Sequence, residues 1–268
     1  MDKTVKALTI AGSDSGGGAG IQADIKTFQE LGVFGMSAIT AITAQNTLGV
    51  QGVYPLPVEA VRQQIQSIGQ DMGTDALKTG MLFSSEIIQV VAEQIEHFKW
   101  QNVVIDPVMI AKGGAPLLQE QAVAALKKYL LPLATVITPN IPEAEVLTGL
   151  TIKTPEDRKE AARYLWNLGA AHVVIKGGHG AEDAEVVDLL YDGREFTEYK
   201  SRRINTPNTH GTGCTFAAAV TAELAKGRGV KEAVQVAKAF IQAAIENQIE
   251  IGQGHGPTNH WAYQRGLG

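Results

Sequence analysis

Apolar residues along this chain fall into two kinds of run, and the two kinds alternate. Short runs with no helical period read as strands over residues 7–11, 35–44, 103–106, 135–138 and 172–176. Runs with apolar positions every three or four residues read as helices over 19–31, 58–68, 85–98, 119–130, 142–147 and 155–168, the last with Thr154 as N-cap before Pro155. Residues 185–191 and 194–199 flank Asp192-Gly193, a hairpin signal, and two Ala-rich helices follow over 214–225 and 230–247. Strands alternating with helices predict an α/β fold with a mostly parallel central sheet covered on both faces. The pattern does not break within the 268 residues, so one domain over 1–268 is expected. Ligands of such sheets sit beyond the carboxyl ends of the strands, which directs attention to the loops at 12–18, 106–114, 139–143 and 177–180.

The stretch Asn208-Thr209-His210-Gly211-Thr212-Gly213-Cys214-Thr215 runs straight into one of the apolar helices. A glycine-rich turn at a helix N-terminus aims several backbone N–H groups one way, and the helix dipole adds to their pull on an anion such as phosphate. Gly211, Thr212 and Gly213 are therefore candidates for holding a transferring phosphoryl group. Cys214, the sole cysteine, stands in the same turn. A thiol there is expected to have a lowered pKa and to serve as a proton acceptor. Phosphate binding beside a base points to phosphoryl transfer onto a hydroxyl.

The other loops carry weaker signals. Gly18-Ala19-Gly20-Ile21-Gln22-Ala23 fits a dinucleotide fingerprint, but the acidic residue expected about 20 positions on is missing, which opposes a nicotinamide dehydrogenase. No Walker lysine follows the glycines either. The segment reads as a strand–helix connection or as a substrate-cradling loop with Asp24 one turn into the helix. Asp106 before Pro107 either caps the next segment or helps order metal and phosphate. Asn140 and Glu143 are spaced as a capping box, or hold Mg²⁺ indirectly through waters. Lys176 before Gly177-Gly178 is a surface lysine at a strand end, or meets a phosphate as a point charge. His210 reads as a loop histidine or as a base with a direct role, and His172, His179, His255 and His260 lack metal-ligand spacing.

Charge and cysteine count narrow the picture further. A net charge of −5 gives no basic face for nucleic acid or anionic lipid. One cysteine excludes an intramolecular disulfide and leaves a thiol sensor without a resolving partner. The polar first residues lead directly into a strand, and no apolar run is long enough for a membrane helix, so a soluble cytoplasmic protein is expected.

Taken together, the segments 8–24, Thr43-Ala44-Gln45-Asn46-Thr47, Thr79-Gly80-Met81-Leu82, Asp106-Pro107-Val108-Met109, Thr138-Pro139-Asn140, Lys176-Gly177-Gly178-His179 and His210–Thr215 resemble the hydroxymethylpyrimidine and phosphomethylpyrimidine kinases of thiamin biosynthesis, over nearly the whole chain. The resemblance implies a ribokinase-like three-layer α/β/α sandwich. It implies ATP and Mg²⁺, and two successive phosphorylations of 4-amino-5-hydroxymethyl-2-methylpyrimidine. Gln45 then matches the residue that hydrogen-bonds the aminopyrimidine, and Gly12, Asp24, Met81 and Val108 match pocket positions. Lys176, Asn140, Gly211 and Gly213 fall to ATP and its phosphates, Asp106 and Glu143 to water-mediated metal, and a homodimer is expected. Relatives active on pyridoxal carry a second cysteine in the lid after Asp-Pro-Val-Met, where this chain has Ile110-Ala111-Lys112-Gly113-Gly114, and they lack the Gln45-Asn46-Thr47 pattern. Both departures favour the pyrimidine. Pyridoxal phosphorylation, and a non-catalytic nucleotide- or vitamin-binding protein on the same fold, remain as rival readings.

Overall fold

A computed structural model describes residues 4–109, 117–178 and 184–266. The described strands form one nine-stranded sheet in the order β3-β2-β1-β4-β5-β6-β7-β8-β9. Its parallel heart is β2 (Phe34–Asn46), β1 (Lys6–Asp14), β4 (Ala76–Thr79), β5 (Val103–Ile105), β6 (Val136–Ile137) and β7 (Val173–Ile175). Antiparallel strands flank it: β3 (Gly49–Pro55) on one side, and the hairpin β8 (Glu185–Tyr191) with β9 (Phe196–Arg202) on the other.

Alternation along the parallel strands divides the interior in two. Leu8, Ile10, Leu77, Ile105, Ile137, Val173 and Ile175 point to one face and share a core with Val61 and Ile65 of α2 (Val58–Asp71), Ile88 and Val91 of α3 (Ser85–His97) and Leu165 of α6 (Pro155–Asn167). Ala7, Ala76, Val104, Val136 and Val174 point the other way. They share a core with Phe28 of α1 (Gly20–Glu30), the alanines of α7 (Thr212–Ala225) and Phe240 of α8 (Val230–Glu246). The result is a three-layer α/β/α sandwich. Every residue of α7 from Thr215 to Leu224 is buried. A helix apolar all round is stable only when covered all round, and α7 lies between the sheet, α1 and α8.

Thr154 caps α6 as expected, its hydroxyl accepting from the Asp157 N–H while Asp157 answers in a capping box. The boundaries differ from the sequence pattern where polar residues are buried or apolar ones are not. β1 runs on past residue 11 to Asp14 through a bulge between Ala11 and Ser13. The helix expected over 119–130 is α4 (Glu120–Ala125), continued as a π turn over Leu126–Leu130. The strand expected over 194–199 is β9, two residues further on at its start. β3 gave no apolar run because it is a half-exposed edge with two glycines, and β4 gave none because half of its four residues are Lys78 and Thr79, both buried. The helix expected over 142–147 is α5 (Ile141–Thr148), and the pattern did not suggest the short α9 (Ala262–Arg265).

Candidate active site

A cavity of about 670 Å³ opens at the carboxyl ends of the parallel strands, against the first turn of α7. Gly12, Gln45, Met81 and Val108 line one part of it. Asp106, Asn140, Glu143 and Lys176 line the middle, and Gly211, Thr212, Gly213 and Cys214 form the wall opposite. The strand ends thus bring together residues scattered over two hundred positions of sequence. The segment 110–116 and His179 lie outside the described residues, so the expected lid with Ala111 does too.

The turn before α7 is built around Gly211, which sits at φ +80 as the N-cap with no side chain capping the helix. A Cβ here would stand 1.7 Å from the Gly18 carbonyl oxygen. Only glycine allows both the positive φ and that approach. Two loops distant in sequence are therefore pressed together; the Thr212 N–H donates to the Thr209 carbonyl at 3.3 Å, while Gly213 and Cys214 of the first turn line the cavity.

Facing this turn, Lys176 Nζ donates to Asp106 Oδ1 at 3.0 Å. A Cβ built on Gly213 would lie 3.3 Å from Lys176 Nζ and 3.9 Å from Asp106 Oδ2, so both charges stand against the helix N-terminus. Burial alone would lower the Lys176 pKa, but Asp106 and Glu143 outweigh it and hold it above the ordinary lysine value. Asp106 Oδ2 is buried and takes no hydrogen bond. An orphaned carboxylate oxygen costs about 1–3 kcal/mol or more unless something else meets it. Asn140 and Glu143 do form the capping box of α5, with Asn140 N–H donating to Glu143 Oε2 and Glu143 N–H to Asn140 Oδ1, both at 2.8 Å. Burial pushes the Glu143 carboxyl up to about 7, with Lys176 opposing and Asp106 adding to the rise.

Two expectations require correction. Asp24 does not line the cavity. Its carboxylate is fully buried, taking Lys78 Nζ at 2.9 Å on both oxygens and Thr9 Oγ1 at 2.6 Å. The helical phase of α1 turns it inward against the sheet instead of out to the loop. Cys214 is not thiolate-prone in the free protein either. Burial pushes its thiol up to about 12, and Asp24 and Asp106 add to this, outweighing the opposite pull of Lys78 and of the Gly20 N–H. The helix N-terminus was the correct local feature, but the two buried carboxylates nearby were invisible in the sequence.

Three residues missed by sequence reasoning shape the site. Lys78 lies fully buried beneath the lining: a Cβ on Gly80, a cavity residue, would be 3.4 Å from its Nζ. Its only signal was a lone lysine in an apolar setting. Asp14 ends β1, and its carboxylate accepts from the N–H groups of Gly16, Gly18 and Ala19 and from His210 Nε2 at 2.8 Å. Burial works to raise its pKa, but these hydrogen bonds and the His210 ring hold it below the usual carboxylate range. On the far side, Asp188 accepts from Gly177 N–H and from Lys238 Nζ, both at 2.8 Å, fixing the loop behind Lys176. Beyond it Ile241, Gln242 and Ile245 of α8 give the cavity an apolar outer lobe.

Among known families, the model for phosphomethylpyrimidine kinase matches residues 14–259. The chain belongs to the phosphomethylpyrimidine kinase family. A hydroxymethylpyrimidine/phosphomethylpyrimidine kinase of Bacillus subtilis is 60% identical over 260 residues, covering 97% of this chain and 96% of its own. An ADP complex of B. subtilis pyridoxal kinase superposes with a TM-score of 0.91 at 50% identity, over 97% of this chain and 98% of that one. A Staphylococcus aureus pyridoxal kinase in complex with AMP-PCP and pyridoxal superposes with a TM-score of 0.91 at 44% identity, over 98% and 96%. The fold implied by the resemblance and the kinase assignment both stand.

Proposed function

We propose that this kinase transfers phosphate from ATP to 4-amino-5-hydroxymethyl-2-methylpyrimidine and then to the resulting monophosphate, in thiamin biosynthesis. The observation that carries the reading is one cavity lined by Gln45, by the Gly211–Cys214 turn and by the Lys176–Asp106 pair. The B. subtilis relative at 60% identity carries both kinase activities in its name. Nucleotide complexes among the structural neighbours support ATP as donor, and the apolar lobe at Ile241 and Ile245 suits a flat heterocycle.

Phosphoryl transfer needs positioning and charge stabilisation more than covalent chemistry. The amides of Gly213 and Cys214 hold negative charge at the helix N-terminus, and Lys176 shares it as a fixed cation. Asp106 Oδ2, buried and without a hydrogen bond, fits a divalent cation nearby, as does Glu143 acting through water. Mg²⁺ supplies charge neutralisation of the phosphate oxygens when bound. Cys214 takes the proton of the hydroxymethyl group once its own thiol has ionised. A cation held at Asp106 would offset one of the two carboxylate charges that add to burial in keeping the thiol protonated. General-base help of this kind contributes roughly 10²–10⁴-fold. The second step starts from a phosphate oxygen and leans on Cys214 less. The protein is proposed to act as a cytoplasmic homodimer, which light scattering at micromolar concentration tests. No described helix is long and apolar enough to cross a membrane.

Two solved neighbours named pyridoxal kinase keep a second reading in view, transfer to pyridoxal by the same site. Coupled ATP turnover with the pyrimidine alcohol, its monophosphate and pyridoxal separates the readings. The pyrimidine is expected to have the highest kcat/KM. Equal or faster turnover of pyridoxal overturns the proposal, and no turnover of any acceptor supports a non-catalytic binding protein.

A further inference from the structure

The carboxamide of Gln45 touches two polar neighbours. One terminal atom lies 3.3 Å from His210 Nε2 and the other 3.2 Å from Thr43 Oγ1. Heavy atoms alone leave two orientations of the amide open, but the hydrogens available to its neighbours decide between them. His210 Nε2 is 2.8 Å from Asp14 Oδ2, a carboxylate that can only accept, so that nitrogen carries a hydrogen. Asp14 takes that hydrogen, so His210 offers a Gln45 carbonyl a shared N–H at most, whereas an NH₂ group of Gln45 facing it would set donor against donor. Thr43 has one hydroxyl hydrogen, and the carbonyl of Ser13 takes it at 2.7 Å. The Thr43 oxygen therefore has only lone pairs left for Gln45. Both constraints demand the same orientation: carbonyl oxygen toward His210, NH₂ toward Thr43. One N–H and one lone pair of the amide then remain side by side for a ligand.

From this geometry we infer that Asp14, His210 and Thr43 are positioning residues that fix the Gln45 carboxamide so that it reads a heterocycle edge with a ring nitrogen acceptor beside an amino donor. The inference rests on the reading of Gln45 as the residue that meets the pyrimidine. His210 suits the task because its own place is fixed. Its N–H donates to Gly256 O at 3.1 Å, and its carbonyl accepts from Thr258 N–H at 3.3 Å. A Cβ on Gly18 would meet the ring at 2.5 Å, so the imidazole is wedged against that loop. His210 also directly precedes Gly211, which links recognition of the ring edge to the turn proposed for phosphate. An amide held in one orientation rejects the wrong edge because a buried polar group is then left unpaired.

The test measures dissociation constants by calorimetry for 4-amino-5-hydroxymethyl-2-methylpyrimidine and for the same compound without its amino group. The wild type is expected to favour the amino compound by about tenfold or more, the range for one satisfied buried polar pair. Gln45→Ala should abolish that preference. His210→Ala should reduce it nearly as far while leaving affinity for the desamino compound within about threefold, and the double variant should discriminate no worse than Gln45→Ala alone. His210→Gln, which restores an N–H near the same place, should recover most of the preference. A His210→Ala variant that keeps the full preference, or that loses both ligands equally, overturns the inference. So does a Gln variant that recovers nothing. Gln45→Ala retaining the preference would instead overturn the underlying reading of Gln45, a result distinguishable from the others.

Discussion

Asp24 and Lys78 offer the sharpest separation of structural support from substrate contact. Both side chains are fully buried and 2.9 Å apart. At an effective dielectric constant of about 20, that separation gives roughly 6 kcal/mol of attraction, which several kcal/mol of desolvation per ion largely offset. The intact pair is therefore nearly neutral for stability, whereas either charge alone is expensive. Lys78→Met or Asp24→Asn should each destabilise the protein by about 3–5 kcal/mol. For a chain of this size that is a fall of about 6–20 °C in Tm, at about 2–4 °C per kcal/mol. The double variant Asp24→Leu with Lys78→Met should regain most of the loss, because no ion is left unpartnered. Thermal unfolding of the four proteins, with KM for the pyrimidine alcohol measured below the transition, checks the comparison. An Asp24→Asn protein that melts with the wild type but shows a KM raised more than about tenfold would refute the reasoning and return Asp24 to the substrate pocket.

Further outcomes follow from the site. The Glu143 carboxyl, at about 7 in the folded protein against an ordinary 4.5, binds its proton more tightly folded than unfolded, so its contribution to stability improves as pH falls from above 7 toward 4.5. Metal held through its carboxylate should weaken over the same interval: the Mg²⁺ concentration for half-maximal activity should rise as pH drops below 7, and Glu143→Gln should flatten that dependence. A wild-type profile level from pH 6 to 8 would remove Glu143 from the metal site. With its thiol at about 12, Cys214 in the free protein should react slowly with iodoacetamide at pH 7, and the rate should climb with pH without levelling off below about pH 10. Cys214→Ala should lower kcat for the alcohol far more than for the monophosphate, and an equal loss on both would argue against a base. Gly211→Ala must adopt φ +80 at a cost of about 1–2 kcal/mol and displace the Gly18 carbonyl that a Cβ would meet at 1.7 Å. Its kcat should fall at least about tenfold, and near-normal kinetics would show that the turn tolerates reshaping.

Most of the layer structure was legible because burial on both faces writes itself as apolar runs. The parallel heart and the large helices were found that way, and the residues clustered at the strand ends were picked out by their position after those runs. What stayed hidden depends on neighbours distant in sequence. Asp24 and Lys78 are separated by 54 positions and announce nothing singly. The thiol of Cys214 was judged from its own helix, while its state is set first by burial and then by carboxylates on α1 and beyond β5. Asp14 stood inside a quoted motif, but its role as acceptor for three amides and an imidazole emerges only when the loop closes on it. The edge strand β3 lacks a hydrophobic face and is held by its pairing to β2.

The two cores flanking the sheet should also respond differently to mutation over time. On the side of α2, α3 and α6, large branched side chains interlock, and a lost methyl group there lowers stability with the catalytic turn left in place. On the other side, Ala217, Ala218, Ala219 and Ala222 let α7 lie close to the strands. Its first turn forms the cavity wall proposed to hold phosphate. Any enlargement of those alanines, at about 1–3 kcal/mol of overpacking, levers the helix outward and carries Gly213 and Cys214 with it. Drift in the first layer is recorded as a change in melting temperature alone, and drift in the alanine layer as a change in turnover as well. A lineage selected only for growth would thus keep the alanine layer frozen while the opposite layer repacks freely.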